Sequence, residues 1–304
     1  MADQPGTSLK WGVRRRLEFI DFRLFWDGLF NRSDLADVFG ISAQQASADI
    51  AQYEEIAPKN LKYDRTQKSY VRAAGYEPAF IAASSDRYLL QLVAVESNWM
   101  RQEDTWFDAI PPVEVVSLKR RQTDSRILLR VLDAIRDKQE IDVEYQSMTG
   151  SSNTTRVIAP HALAYSAGSW YVRAWSRDHN DFRDYNLNRI IGVGELRPSP
   201  VDSKLDFQWA HTINLVLAPN PGLPEERQEA VAAEYAMTDR RLLVPTRLSL
   251  SFYLMSDRNL DVEPGVLPPV KQQLVLLNRD QVKQANDAAR QLSIEALARA
   301  EAGS

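Results

Sequence analysis

The stretch Ser33-Asp34-Leu35-Ala36-Asp37-Val38-Phe39-Gly40-Ile41-Ser42-Ala43-Gln44-Gln45-Ala46-Ser47-Ala48-Asp49-Ile50-Ala51-Gln52-Tyr53 decides how the first part of this chain folds. Leu35, Val38 and Phe39 fall at i, i+3, i+4, the spacing of one helical face. Ser33 is a good residue to open that helix. Gly40 closes it, because glycine takes the left-handed conformation at a helix end at little cost. Ser42 and Gln45 then form the two ends of a capping box, which predicts a third helix burying Ala46, Ile50 and Tyr53 and ending at Pro58. Upstream, Val13, Leu17, Ile20 and Leu24 mark a first helix. Helix, short helix, glycine turn and capped helix is the order of a helix-turn-helix. Downstream, Leu61-Lys62-Tyr63 and Ser69-Tyr70-Val71 flank Asp64-Arg65-Thr66-Gln67-Lys68, which predicts a hairpin wing with Arg65 and Lys68 at its tip.

The outer face of the third helix carries the chemistry. A rotation of about 100° per residue puts Gln44, Ala48 and Ala51 opposite the buried stripe, flanked by Gln45, Ser47 and Gln52. Glutamine pairs with adenine through two hydrogen bonds, and small residues allow close approach to thymine methyls and phosphates. The helix start, at Ser42, favours a phosphate oxygen. Candidate DNA contacts are therefore Ser42, Gln44, Gln45, Ser47, Ala48 and Gln52, with Arg65 and Lys68 on the backbone. A three-helix bundle with an incidental polar face is the alternative. Residues 1–72 hold eleven basic and ten acidic side chains, so arrangement and two-fold repetition must carry binding rather than bulk charge.

Composition bounds the rest. The 304 residues suggest two or three domains, and 44% hydrophobic with 26% charged residues is the balance of a soluble globular protein, which excludes collagen, a coiled-coil rod and general disorder. No stretch reaches the roughly 18 consecutive apolar residues of a membrane span. Met1-Ala-Asp-Gln-Pro-Gly lacks the apolar core of a signal peptide, so a cytoplasmic protein is expected. The chain has no cysteine, which excludes disulfides, thiolate metal sites and a cysteine nucleophile. Its three histidines, His161, His179 and His211, are widely spaced, so neither a metal nor a cofactor is expected. No P-loop, HExxH or GxSxG pattern occurs, which argues against an enzyme.

Punctuation divides the chain into residues 10–75, winged helix; 76–138, a mostly helical linker broken by Pro111-Pro112; 139–197, rich in β alternation; and 198–304, mixed. Helices followed by strands, without βαβ alternation, predict an α+β multidomain chain. In the linker, Lys119-Arg120-Arg121 reads as a solvated charge run preceding a helix over 123–138. In the tail, Glu225–Tyr235 and Gln281–Ala300 read as helices, Leu248–Phe252 as an alternating strand, and Trp209, His211 and Asn214 as packing or interface residues.

The third segment begins with the alternating Ile141-Asp142-Val143-Glu144-Tyr145. Ala164-Tyr165 and Trp170–Trp175 flank the turn Ser166-Ala167-Gly168-Ser169. Along Phe182–Ile190, period two puts Arg183, Tyr185, Leu187 and Arg189 on one face. Two arginines and a tyrosine on a sheet face suit an anionic, ring-bearing ligand.

The runs Tyr145-Gln146-Ser147-Met148, Arg156, Ala159-Pro160-His161-Ala162-Leu163, Trp170-Tyr171-Val172-Arg173-Ala174 and Phe182–Ile190, in this order, resemble the WYL domain, a small Sm-like β-barrel of bacterial transcriptional regulators. Val172 stands where the motif has leucine. The tail, through Leu215–Pro221, Leu243-Val244-Pro245 and Gln272–Leu276, resembles the WYL C-terminal extension, a small α/β domain. The domain order is most similar to the CapW- and BrxR-like repressors of phage-defence operons. That resemblance implies a homodimer joined through the tail, operator duplex bound by paired winged helices, and an effector sensed by the barrel. The effector class it suggests is a nucleotide or single-stranded nucleic acid. Carried over residue by residue, the pocket candidates are Tyr145, Ser147, His161, Trp170, Arg173, Arg183, Tyr185 and Arg189. Trp170 and Tyr185 equally suit a core, and Asp184 or Asp142 are the acids that would pair the arginines structurally. The linker is placed to relay an effector's presence to the reading helices. A nucleotide-processing enzyme, or a single-strand-binding module using the Arg-rich sheet face, is the alternative function.

Overall fold

The computed structural model describes residues 9–118, 121–148 and 153–302. The chain separates into two units, Met1–Leu118 and Lys119–Ser304.

In the first unit, α1 (Trp11–Trp26), β1 (Leu29–Phe30), α2 (Arg32–Phe39), α3 (Ala43–Ile56), β2 (Leu61–Asp64), β3 (Ser69–Arg72) and α4 (Ser85–Glu96) follow in order. The strands form an antiparallel sheet ordered β1-β3-β2. Leu17, Ile20 and Leu24 from α1, Leu35 from α2, and Ala46, Ile50 and Tyr53 from α3 make one core with Phe30 and Leu61. Burying each of the larger side chains is worth about 1.5–3 kcal/mol.

One carboxylate ties this unit together. Asp21, fully buried on α1, accepts from the Tyr53 hydroxyl at 2.5 Å and the Tyr76 hydroxyl at 2.9 Å. It also accepts from the backbone N–H groups of Ala79, Phe80 and Ile81 at 2.8–3.0 Å. Burial, then the Asp21 charge, pushes both tyrosines above their usual pKa. A buried charge is tolerated when hydrogen bonds surround it, and here they fix the segment after the wing onto α1.

Gly40 closes α2 in the left-handed conformation at φ 61°, as its type predicts. The helix opens earlier than Ser33. Asn31 stands in the cap position, and the Asp34 carboxylate, three residues on, accepts from the Asn31 N–H at 2.8 Å. Ser33 thus falls inside the first turn. Beyond α4, a 3₁₀ turn at Gln102–Asp104 interrupts an irregular path.

The second unit opens with α5 (Ser125–Asp137) and continues through β4 (Gln139–Gln146), β5 (Asn153–Ser166), β6 (Ser169–Ser176), β7 (Asp181–Asn186) and β8 (Ile190–Pro198). The helical reading of 76–138 therefore holds for α4 and α5, while most of the residues between them are irregular. Lys119 and Arg120 lie outside the described residues. Arg121 Nη2 donates to the carbonyls of Asn188 and Ile190, at 2.6 and 3.0 Å, so this member of the basic run is engaged.

The five strands pair antiparallel in the order β7-β6-β5-β4-β8. Irregular registers at Pro160/Ala162 and at Ile141/Val143 bend the sheet over its core. Ile127, Val131 and Ala134 of α5 pack there against Ile141, Val143, Ile158, Val172 and Ile190. Ala167 and Gly168 both take positive φ, 46° and 72°, in the two-residue turn joining β5 to β6.

Strand β7 stops sooner than period two predicts. The Asn186 side chain accepts from the Asn188 N–H at 3.0 Å and turns Leu187–Arg189 into a 3₁₀ segment. Arg189 therefore leaves the face that holds Arg183 and Tyr185.

The tail adds α6 (Phe207–Ala210), β9 (Thr212–Pro219), α7 (Glu225–Glu234), β10 (Leu242–Arg247), α8 (Leu248–Asp257), β11 (Leu274–Leu276) and α9 (Arg279–Ala302). Its antiparallel sheet runs β10-β9-β11. The expected strand at Leu248–Phe252 is the start of helix α8. Its Leu/Ser alternation has a different cause: Ser249 and Ser251 are buried, and Ser251 Oγ accepts from Asn286 of α9 at 2.9 Å, while Phe252 is exposed.

Among the described residues, no helix is long and apolar enough to cross a membrane, and no group of three or more histidine or acidic side chains is placed to hold a metal ion.

Candidate nucleic-acid interface and sensing site

Helix α3 is held from behind by a two-toothed ion pair. Arg16 of α1 donates through Nε to Asp49 Oδ2 at 2.6 Å and through Nη2 to Oδ1 at 3.0 Å. Asp49 is almost fully buried, and its hydrogen bond to Arg16 raises the guanidinium pKa. Such a fork fixes direction as well as distance.

At the start of α3, Ser42 Oγ accepts from the Gln45 N–H at 3.1 Å, the first half of the capping box. The second half is replaced. Gln45 Nε2 donates to Asp49 Oδ1 at 3.1 Å, since a carboxylate four residues on is a stronger acceptor than water.

With this anchoring, Gln44, Gln45, Ala48 and Ala51 are exposed, and Ser47 and Gln52 are half-buried. Ser47 Oγ donates to the Ala43 carbonyl at 2.9 Å and accepts from Arg32 Nη1 at 3.3 Å. Arg32 was not singled out by spacing because it lies on α2, outside the periodic stripe of α3. In the wing, Asp64 Oδ1 accepts from the N–H groups of Thr66 and Gln67 at 2.8 and 3.1 Å, and Lys68 takes a positive φ of 52°. Arg65 and Lys68 are exposed at the tip.

The WYL-type pocket candidates fall into separate groups. Tyr145 and Tyr185 are buried, ring edge to face at 5.3 Å, and the Tyr145 hydroxyl accepts from the Asn186 N–H at 3.2 Å. Trp170 is half exposed beside the β5–β6 turn, packed on Tyr165 at 5.0 Å. Ser147 and Arg189 are half-buried.

His161 and Arg173 converge on Asp206, the fully buried residue that caps α6. His161 Nε2 lies 3.0 Å from Oδ2, while Arg173 donates through Nε at 2.7 Å and through Nη2 to Oδ1 at 3.0 Å. Arg173 Nη1 also lies 3.4 Å from Asp184, which accepts from the Tyr253 hydroxyl at 3.3 Å. Burial opposes the charge on Arg173, yet the two carboxylates hold its pKa above the usual value. Burial likewise opposes the Asp206 charge, and His161 and Arg173 keep that carboxyl below its ordinary pKa. For Asp184 burial wins, and its pKa rises.

Asp184 and Asp142 are thus committed elsewhere than to Arg183 or Arg189. Asp142 pairs with Arg197 at 2.5 and 3.0 Å. Asp206 was missed because it stands 45 positions from His161, where no local pattern connects them. Arg156 belongs to the motif runs, but its contact with His179 was not legible for the same reason: the two side chains meet at 3.3 Å only through strand pairing.

Comparison with known proteins agrees with the order of domains along the chain. Residues 12–94 match the BrxR transcriptional regulator winged helix-turn-helix domain, 126–194 the WYL domain, and 212–282 the BrxR C-terminal dimerization domain. The DNA-binding transcriptional repressor CapW of Escherichia coli (strain KTE188) is 34% identical over 273 residues, 90% of this chain and 91% of that protein. CapW of Pseudomonas aeruginosa is 35% identical over 285 residues, covering 92% of this chain and 95% of its relative. CapW of Stenotrophomonas maltophilia is 33% identical over 285 residues, covering 93% and 95%.

Proposed function

The chain belongs to the CapW family of WYL-domain regulators, and we propose on that footing that it is a homodimeric repressor binding one operator duplex with two copies of α3. The observation that carries this reading is the Arg16–Asp49 fork, which fixes α3 with Gln44, Ala48 and Ala51 facing outward, while Arg65 and Lys68 are exposed at the wing tip. Side-chain amides on a rigid helix read base edges in a major groove, and wing cations neutralise phosphates. The match to a dimerization domain supports two-fold binding, and with it a pseudo-palindromic operator.

In this reading the second unit senses an anionic effector, a nucleotide or a nucleic-acid end, and changes operator affinity. A phage-defence operon is the proposed target.

An electrophoretic mobility shift with the promoter duplex upstream of the chain's own gene tests the reading. The expected result is a discrete dimer complex that competes off poorly with random duplex and weakens steeply with salt. Equal retention of random and promoter duplex overturns it.

A further inference from the structure

We propose that the corner of the five-stranded sheet formed by Arg156, Arg183, Ser176 and Tyr185 is a receptor for a terminal phosphate, a phosphate monoester on a mononucleotide or on an oligonucleotide end. This rests on the effector-sensing reading above and names the group that is sensed.

Period two along β5 places Thr154, Arg156 and Ile158 on one face. Ile158 is fully buried in the sheet's core, so Arg156 is aimed toward the same interior, and its side chain is only 17% exposed. Two polar atoms of this face, Arg156 Nε and the Thr154 hydroxyl oxygen, are buried without a hydrogen-bond partner among the described residues, and the buried Tyr185 and Ser176 hydroxyls have only each other. Native interiors leave few such groups, and two of them on one face, beside a pair of hydroxyls that have only each other, point to a ligand. The Tyr185 hydroxyl is hydrogen-bonded to Ser176 and lies in the fields of Arg156 and Arg183.

The local charge is unbalanced. Among the described residues, Arg156 Nη1 meets only the half-exposed Asp178, at a long 3.4 Å, and the His179 ring nitrogen at 3.3 Å. The other nearby acid, Asp181, is taken by Arg290 at 2.8 Å. Arg183 is exposed and offers an approach from solvent. His179 is pushed below its usual pKa by burial and then by Arg183 and Arg156, so its ring supplies a neutral donor or acceptor rather than a third charge.

Two guanidinium groups match a phosphate dianion, and the hydroxyls supply further donors. A single carboxylate has neither the charge nor the number of acceptor oxygens to satisfy them all.

The test uses the full-length protein and isothermal titration calorimetry. The probes are inorganic phosphate, a nucleoside 5′-monophosphate, a short single strand with a 5′-phosphate, the same strand with a 5′-hydroxyl, and acetate. The 5′-phosphate strand should bind about tenfold or more tightly than its hydroxyl twin, the scale of one charge-assisted contact set. Comparison with the monophosphate tells whether the phosphate belongs to a free nucleotide or a strand end. Arg183→Gln should weaken the phosphate-bearing probe by about the same factor. Tyr185→Phe, which keeps the buried ring, should also weaken it, while Arg136→Gln on the far end of α5 leaves it unchanged.

Equal affinity for phosphate and hydroxyl ends overturns the proposal, as does undiminished binding by folded Arg183→Gln or tighter binding of acetate. Operator binding is measured on the same preparations. Loss of phosphate binding with operator binding intact sinks only this inference, whereas failure of operator recognition sinks the repressor reading.

Discussion

The five-stranded unit carries two arginine–histidine clusters that meet opposite fates. Around Asp206, His161 and Arg173 are surrounded by carboxylates, and the Arg173 side chain is 4% exposed. Around Tyr185, Arg156 keeps a buried Nε without a partner among the described residues, and its side chain meets one half-exposed acid, Asp178, at 3.4 Å. The residue types are nearly identical. What differs is where the acids come from: Asp206 and Asp184 are delivered by a loop and a strand packed directly over Arg173, while Asp181 is drawn off by α9. Matched charge is architecture, and unmatched charge is available for recognition. The first unit repeats the division, with Asp49 locked to Arg16 behind α3 while Gln44 looks outward.

The contrast breaks most visibly in stability. Arg173→Ala strands Asp206 and Asp184 in the interior and should cost about 3–5 kcal/mol, read by chemical denaturation, whereas Arg183→Gln should stay within about 0.5 kcal/mol. The pH dependence has a definite sign. Asp206 has a lowered pKa in the fold, so its contribution is present above the ordinary carboxylate value and is lost as pH falls through the lowered one. The stability gap between wild type and Asp206→Asn should therefore narrow on acidification; a gap that widens would mean Asp206 is not the charged anchor.

A smaller effect is expected on the reading face. Gln44→Ala should lose about 1–3 kcal/mol of discrimination at one base pair, while Arg65→Gln should weaken all duplexes alike and lower the salt slope by about one. Binding measured across a panel of single-base operator changes separates the two. The smallest effect concerns hydroxyls. Tyr185→Phe removes one neutral hydroxyl–hydroxyl bond, to Ser176, and should cost about 0.5–1.5 kcal/mol, whereas Tyr53→Phe removes a bond to the Asp21 carboxylate and one to Asn60 and should cost about 1.5–3 kcal/mol. Equal losses from the two variants would erase the distinction.

Much of the architecture was legible because it is written in local patterns. The Ser42 cap, the Gly40 stop, the wing and the Ala167-Gly168 turn each depend on residues within a few positions. The misreadings are also local. Asn31 displaces Ser33 because Asp34 sits three residues beyond it, and the Leu/Ser alternation of Leu248–Phe252 mimics a strand although the run opens a helix. The candidate sites were legible by residue type and illegible by partner. His161, Arg173, Arg183 and Tyr185 stand out in sequence, but which of them is neutralised depends on Asp206 and Asp184, and the first of these arrives from beyond β8. Arg156 and His179 become neighbours only when β5, β6 and β7 pair in register.

The account turns on operator recognition by α3, and a competition titration tests it most directly. Labelled promoter duplex bound to the protein at physiological salt is displaced with unlabelled promoter or with random duplex. The prediction is that random duplex competes about 10³-fold or more weakly, and that Gln44→Ala narrows this ratio. Equal competition by the two duplexes, with wild type and variant alike, would contradict it.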